Sequence, residues 1–348
     1  MGYSALHSIL FKLDAERAHD WTTGTLALAQ RSAVLRALWR RRWACADPRL
    51  EQRVLGLRFP NPVGVAAGFD KNGRLVPALA AFGFGAIEVG TVTPRPQPGN
   101  PRPRMFRLPE QAALINRLGF NNEGVDALVR NVQRARYGGV LGINIGKNAA
   151  TAIENAGDDY CICLEKVYPH AHYVTVNISS PNTANLRALQ TEGPLAELLR
   201  EVSETRAALA ERHGRRVPVL IKIAPDMDAD AVRRVAETVQ ASGMDGLIAT
   251  NTTVRRDSVK GARHAEETGG LSGRPLTDMS CEVLRQAREA VGPDFPIIGV
   301  GGIHDARSAQ ERIAAGATLL QVYTSFIYQG PALIPALARA VAAPQHST

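Results

Sequence analysis

The stretch NISSPNT, residues 177–183, follows the apolar run YVTV and sets two amides and two hydroxyls around a proline. A plain chain reversal needs only Gly or Asp there, so Asn177, Ser179, Ser180 and Asn182 point to something held. Asparagine offers both donor and acceptor, which suits the edge of a planar imide or amide. Serine can take a proton in catalysis, but it is a poor base alone and no His stands beside it in sequence. Lys222 is the second feature. It lies in VLIKIAP, on one strand face with Leu220 and Ala224, with no acid beside it. A lysine in such a run must meet an anion or lose its proton, which suits a cation held against charge that develops during a reaction. The third feature is GVGG at 299–302 with YTS at 323–325, where glycine would let backbone amides approach phosphate oxygens.

These groups lie far apart in sequence, so a fold must gather them. From residue 61 short β-rich runs recur at 61–68, 85–93, 141–146, 173–179, 219–225, 245–252, 296–302 and 319–325. Most are continuously apolar, as parallel strands covered on both faces are. Helix-length segments follow at 72–82, 122–136, 151–171, 193–213, 228–243, 276–291, 305–316 and 331–343. Eight strand–helix units predict an α/β fold, a (β/α)8 TIM barrel preceded by an α-helical extension. A doubly wound open sheet is the competitor, but no G-x-G-x-x-G opens a helix. Barrel chemistry sits at the C-terminal strand ends. These read Gly68 to Lys71, Thr91, Asn144, Asn177 with Ser180, Lys222, Thr250 with Asn251 and Thr252, Gly301 with Gly302, and Tyr323 with Thr324. Rich in donors and poor in carboxylates, that mouth suits an anionic, planar ligand. The glycines follow strands seven and eight, the usual phosphate position of such barrels. With neither a Walker lysine motif nor a dinucleotide glycine triplet, a phosphate-tethered flavin mononucleotide fits better than ATP or NAD.

Composition narrows the class. Of 348 residues, 45% are hydrophobic, ample for a core, and no segment approaches the roughly 20 apolar residues of a membrane span. No basic region followed by an apolar run and cleavage site opens the chain, so no secretory signal is expected. Cys45, Cys161, Cys163 and Cys281 suggest neither a disulfide framework nor a metal, since one residue separates the central pair where metal pairs usually hold two to four. Reduced structural thiols in a cytoplasmic protein are expected. Residues 1–58 hold ten Lys/Arg against five Asp/Glu, which is +5 of the formal +8.

Seven motifs in order then carry a resemblance: AAGFDKNG (66–73), NRLGFNN (116–122), NISSPNT (177–183), IKIAPD (221–226), ATNTT (249–253), GGLSGRPL (269–276) and GVGGI (299–303). Together they resemble the dihydroorotate dehydrogenase family, in its membrane-associated, quinone-reducing class. The likeness runs along nearly the whole chain, including an extension with ERAH at 16–19. It implies FMN-dependent oxidation of (S)-dihydroorotate to orotate with a quinone as acceptor, in pyrimidine (UMP) biosynthesis. It implies FMN contacts at Ala67, Gly68, Lys71, Thr91, Asn144, Asn177, Lys222, Thr250, Gly273, Gly302, Tyr323 and Thr324. Substrate contacts are implied at Lys71, Asn116, Arg117, Leu118, Gly119, Phe120, Asn177, Asn182, Asn251 and Thr252. Ser180 is the implied base for the C5 proton, relaying it through a hydroxyl or water chain to which Thr183 could contribute, with Ser179 in the blander helix-capping role. The pair YT at 323–324 stands where some members have YS, which keeps the hydroxyl.

The division expected is residues 1–58, a helical membrane and quinone-access extension, and residues 59–348, the FMN-binding barrel. Leu6, Ile9, Leu10 and Leu13 form one helical stripe. Further segments follow at about 15–30 and 32–43, the latter carrying Val34, Leu35, Leu38 and Trp39 beside Arg40, Arg41 and Arg42. Arginines flanking tryptophans suit an interface with anionic lipid. The resemblance adds an apolar tunnel for a membrane quinone, with His19, Arg107 and Tyr323 at its head group. A monomer lying peripherally on the cytoplasmic side of the inner membrane is expected, with no metal and no nucleic-acid partner. A dihydrouridine synthase, the RNA-modifying alternative, uses a cysteine acid where Ser180 stands, and the arginine excess here lies outside the barrel. A non-catalytic barrel that only binds a phosphorylated ligand is the other alternative.

Overall fold

The computed structural model describes residues 10–45 and 47–342. Strands β3 (Val63–Val65), β4 (Ala86–Val92), β7 (Val140–Ile145), β8 (Tyr173–Asn177), β9 (Val219–Ile223), β10 (Gly246–Ala249), β12 (Ile297–Val300) and β13 (Leu319–Val322) close a parallel barrel in that order. All eight lie within, or one residue from, the expected runs, and each expected helical segment holds a helix. Residue 343, the end of the last, lies outside the described residues. Outward side chains such as Ile87, Val89, Ile143, Val176, Ile221 and Leu247 pack under the helices in the main core. Inward ones alternate with them, as period-2 geometry requires.

The lumen is layered. Its base is apolar, built from Ala86, Val140, Leu220, Ile248, Ile298 and Leu319. Val54 and Phe59 plug that base from a hairpin, β1 (Gln52–Val54) with β2 (Leu57–Phe59). The hairpin runs across the expected 58/59 division and belongs by packing with the barrel. Above the base the inward residues turn polar: Glu88, Tyr173, Gln321, Asn144, Thr175 and Lys222, all buried. Register explains one contact. Glu88 pairs with Gly142 and Gly142 with Tyr173, on three neighbouring strands. A Cβ on Gly142 would lie 2.2 Å from the Tyr173 ring, so glycine alone lets that ring cross and reach Glu88.

A separate antiparallel sheet, not foreseen from sequence, roofs the mouth: β5 (Met105–Leu108), β6 (Ala113–Asn116) and β11 (Gly270–Gly273). It joins insertions after β4 and β10, and its own small core holds Phe106, Leu108, Ile115 and Leu271. Ahead of the barrel stand α1 (Ala15–Ala29) and α2 (Ala33–Trp43), matching the two expected segments. Asp14 and Ser32 cap them through side-chain oxygens. Leu6 and Ile9 of the expected first stripe lie outside the described residues. Glu16 ties α1 to the roof through a buried ion pair with Arg104 at 2.8 Å. Trp39 and Trp43 of α2 pack on Phe82, ring centroids 5.2 and 5.5 Å apart.

Candidate active site

Between the barrel mouth and the roof lies a cavity of about 260 Å³. Ala67, Gly68, Lys71, Thr91, Asn177, Lys222, Thr250, Gly273, Gly302, Tyr323 and Thr324 all line it. So do Asn116, Leu118, Gly119, Phe120, Ser180, Asn182, Asn251 and Thr252. Two expected residues stand apart. Asn144 lies one layer down, accepting the Thr91 hydroxyl proton at 2.6 Å. Arg117 is the correction: it turns away to Glu267 at 2.7 Å and to the Pro103 carbonyl at 2.9 Å. Arg117 follows the end of β6 between Asn116 and Leu118, which both line the cavity, and its own side chain points out, which motif matching could not separate.

The turn bond expected of Ser179 falls instead to Ser180, which still lines the cavity. Ser180 Oγ accepts the turn bond, from Asn182 N–H at 3.2 Å, and keeps its own proton free to donate. Ser179 Oγ donates to Asn177 Oδ1 at 3.0 Å and accepts from Asn251 Nδ2 at 3.0 Å. Thr183 Oγ1 is buried with no hydrogen-bond partner among the described residues. The loop has a clamp that sequence reading missed. Arg187 reaches the Ser179 carbonyl (3.1 Å), the Thr252 carbonyl (2.9 Å) and Asp226 (2.7 Å) at once. It therefore binds the NISSPNT loop to the ends of two other strands, and only Asp226 of IKIAPD hinted at it.

Lys222 makes no hydrogen bond or ion pair among the described residues. Burial draws its pKa below the ordinary lysine value, and the opposing charge is Glu88. That carboxylate was the main omission of the sequence reading, because it sits mid-strand, away from the strand ends. Asp70 is a second acid near the mouth, but its oxygens accept from Arg74 N–H and Leu75 N–H and shape the loop after β3. Ser272, Arg274, Gln321 and His304 also line the cavity without having been expected there.

A second cavity, about 310 Å³, opens between α1, α2 and the barrel. Its walls are largely apolar: Leu26, Trp39, Trp43, Phe69, Phe82 and Phe326 among them. His19 and Arg107 line it, while Tyr323 lines the first cavity. Phe69 stands between, its ring centroid 5.7 Å from His19 and 6.1 Å from Tyr323. One row of rings thus separates a polar chamber from an apolar one. Burial, and then the nearby Lys71 charge, bring His19 down to about 3, so it faces this chamber as a neutral imidazole. Arg107 lies over the Phe11 ring at 4.6 Å and donates to the Leu10 carbonyl at 3.0 Å.

The sequence profile described as dihydroorotate dehydrogenase matches residues 49–343. The dihydroorotate dehydrogenase (quinone) of Acidovorax sp. (strain JS42) is 57% identical, the match covering 97% of each chain. That of Leptothrix cholodnii (strain ATCC 51168 / LMG 8142 / SP-6) is 57% identical over 97% of this chain and 98% of its own. Among solved structures, DHODH from Eimeria tenella in complex with ferulenol superposes with a TM-score of 0.86 at 37% identity. It covers 93% of this chain and 90% of that one.

Proposed function

The chain belongs to the dihydroorotate dehydrogenase family, and from that membership we propose how its two cavities divide an FMN-dependent oxidation of dihydroorotate to orotate with a quinone as acceptor. The reading rests most on one observation: a buried lysine with no bonded partner among the described residues shares a cavity with Ser180 and four Asn side chains. FMN, when bound, would supply a hydride acceptor for substrate C6 and a two-electron donor for the quinone. The residues present fit that group. Lys222 Nζ lacks a hydrogen-bond partner among the described residues, and Gly302 holds φ +73° where a Cβ would meet Thr277 at 2.3 Å. Lys222, Thr91 and Asn177 would hold the ring system, with Asn144 behind Thr91, and Gly273, Gly302, Tyr323 and Thr324 the phosphate end.

Ser180 Oγ takes the C5 proton, its own proton leaving through a neighbouring hydroxyl or water. Asn116, Asn177, Asn182 and Asn251 match the donor and acceptor edges of the substrate ring, while Lys71 supplies a cation for its carboxylate. An anaerobic absorbance titration tests this. The purified protein is yellow and its flavin band bleaches on adding dihydroorotate; a colourless protein, or an unbleached band, overturns the reading.

Two further results are expected of these lysines. Burial brings Lys71 down to about 8, against the opposing charge of Glu16. The folded chain then carries the cation below that pH and loses it above. The pH profile of kcat/KM for dihydroorotate, which reports groups of the free enzyme, should fall about tenfold per pH unit above pH 8. Lys71→Met should remove that limb of the profile, and a limb that persists would sink the assignment. Lys222→Met should weaken retention of FMN, seen as release of free flavin on gel filtration. Full flavin content in that variant would leave Lys222 a bystander.

The second cavity suits the quinone, with His19 and Arg107 near its head group and the apolar walls along its tail, while Tyr323 stands across Phe69 on the flavin side. Residues 1–58 serve as the access element and residues 59–348 as the catalytic barrel, with the hairpin at their junction closing the barrel's base. The access element's outer side supports membrane contact: Val34 is 69% and Leu38 55% exposed, beside exposed Arg40, Arg41 and Arg42. No helix among the described residues is long and apolar enough to cross a membrane. A peripheral monomer on the cytoplasmic side of the inner membrane follows from this reading.

A further inference from the structure

Glu88 is fully buried in the lumen, and the reaction described above assigns it nothing. Its two oxygens are used differently. Tyr173 OH and Gln321 Nε2 donate to Oε2 at 2.9 and 2.8 Å, which leaves Oε1 for Asn144 Nδ2 at 2.8 Å. From there a chain of bonds climbs to the cavity. Thr91 donates its proton to Asn144 Oδ1 at 2.6 Å, and Asn177 Nδ2 donates to Thr91 Oγ1 at 3.0 Å. Ser179 then donates to Asn177 Oδ1, and Asn251 Nδ2 to Ser179 Oγ, each at 3.0 Å. Every bond runs donor to acceptor toward Glu88.

That single direction has a cause. A carboxylate only accepts, so Asn144 must turn its NH₂ to it and its oxygen to Thr91. The one Thr91 proton is then spent, so Asn177 must present nitrogen to Thr91 and oxygen to Ser179 and Asn251. A flipped Asn177 would set oxygen against an oxygen lone pair below and NH₂ against N–H donors above. We propose that Glu88 is a positioning residue whose acceptor-only carboxylate fixes the hydrogen-bonding sense of Asn144, Thr91, Asn177, Ser179 and Asn251. The amides at the mouth are thereby oriented from inside the barrel, before any ligand arrives. The proposal rests on the reading of Asn177 and Asn251 as substrate contacts.

The test uses full-length protein loaded with FMN and measures orotate binding through the flavin absorbance. Glu88→Gln keeps the shape but lets an NH₂ face Asn144, so the chain can reverse. Orotate affinity should fall about tenfold or more, the effect of one buried polar group misplaced, with FMN retained. A double variant, Glu88→Gln with Gln321→Glu, moves the carboxylate to the other side of a 2.8 Å contact. There it holds the new amide's NH₂ at its own side and leaves that amide's oxygen for Asn144, so affinity should recover most of the loss. Glu88→Gln binding orotate within about twofold of wild type, or a double variant no better than the single one, overturns the role of Glu88. Should the single variant not fold, the double variant alone decides: near wild-type affinity supports orientation, and a loss of tenfold or so overturns it. Wild-type protein that holds FMN but binds no orotate removes the substrate reading itself, and this role with it.

Discussion

Replacing Ser180 with Ala is expected to slow anaerobic bleaching of the bound flavin by dihydroorotate about 10²-fold or more, the usual loss for a general base. The prediction comes from geometry. Ser180 Oγ lines the cavity, is nearly buried, and already accepts from Asn182 N–H, so its own hydrogen is available to leave as it takes the C5 proton. The loop that carries it is held by Arg187 at two carbonyls and Asp226, none of which the substitution touches. Flavin content should therefore be unchanged. Reoxidation by quinone should keep its wild-type rate, because that half needs no C5 proton transfer. Stopped-flow measurement of both halves separates the outcomes. Near-normal bleaching in the Ala variant would sink the assignment, and equal slowing of both halves would mean that the pocket had been disturbed as a whole.

Exchanging Arg40, Arg41 and Arg42 together for Gln is expected to lower partition onto anionic vesicles about 10²-fold, at roughly 1 kcal/mol for each basic residue near such a surface. All three close α2 on its solvent side and make no side-chain bond among the described residues, so little in the fold depends on them. No residue of α2 is buried, while Trp39 and Trp43 face Phe82 and the apolar cavity. The helix thus shows apolar side chains both inward and outward, with its charges at the last turn. Bleaching by dihydroorotate should be unaffected, since that site lies under the roof. Binding of the wild type should weaken as salt rises, because part of the attraction is screened charge. Co-sedimentation with anionic and with neutral vesicles checks this. A variant that sediments like wild type on anionic vesicles would show the arginines to be ordinary solubilising charge.

What sequence alone determined here is the set of elements and the mouth. Continuously apolar runs at regular spacing define parallel strands, because both faces of such a strand are covered, and that rule needs no tertiary knowledge. Parity did further work: Lys222 points inward because Leu220 does, two residues along one strand. Residues at strand ends were legible for the same reason, since a barrel gathers them at one rim. The roof was not legible, because β5, β6 and β11 are four residues each and β11 joins β6 across more than 150 positions, with no local period to mark them. The outward turn of Arg117, the bond from Asn251 to Ser179, and the Arg187 clamp are likewise set by neighbours from other segments. Glu88 shows the limit most plainly. In sequence it is one acid in an apolar strand; only closure of the barrel brings Tyr173, Gln321 and Asn144 from three other strands onto it and makes that acid the root of the site's hydrogen bonds. Local patterns decide which way a side chain faces, and three-dimensional pairing decides what it meets there.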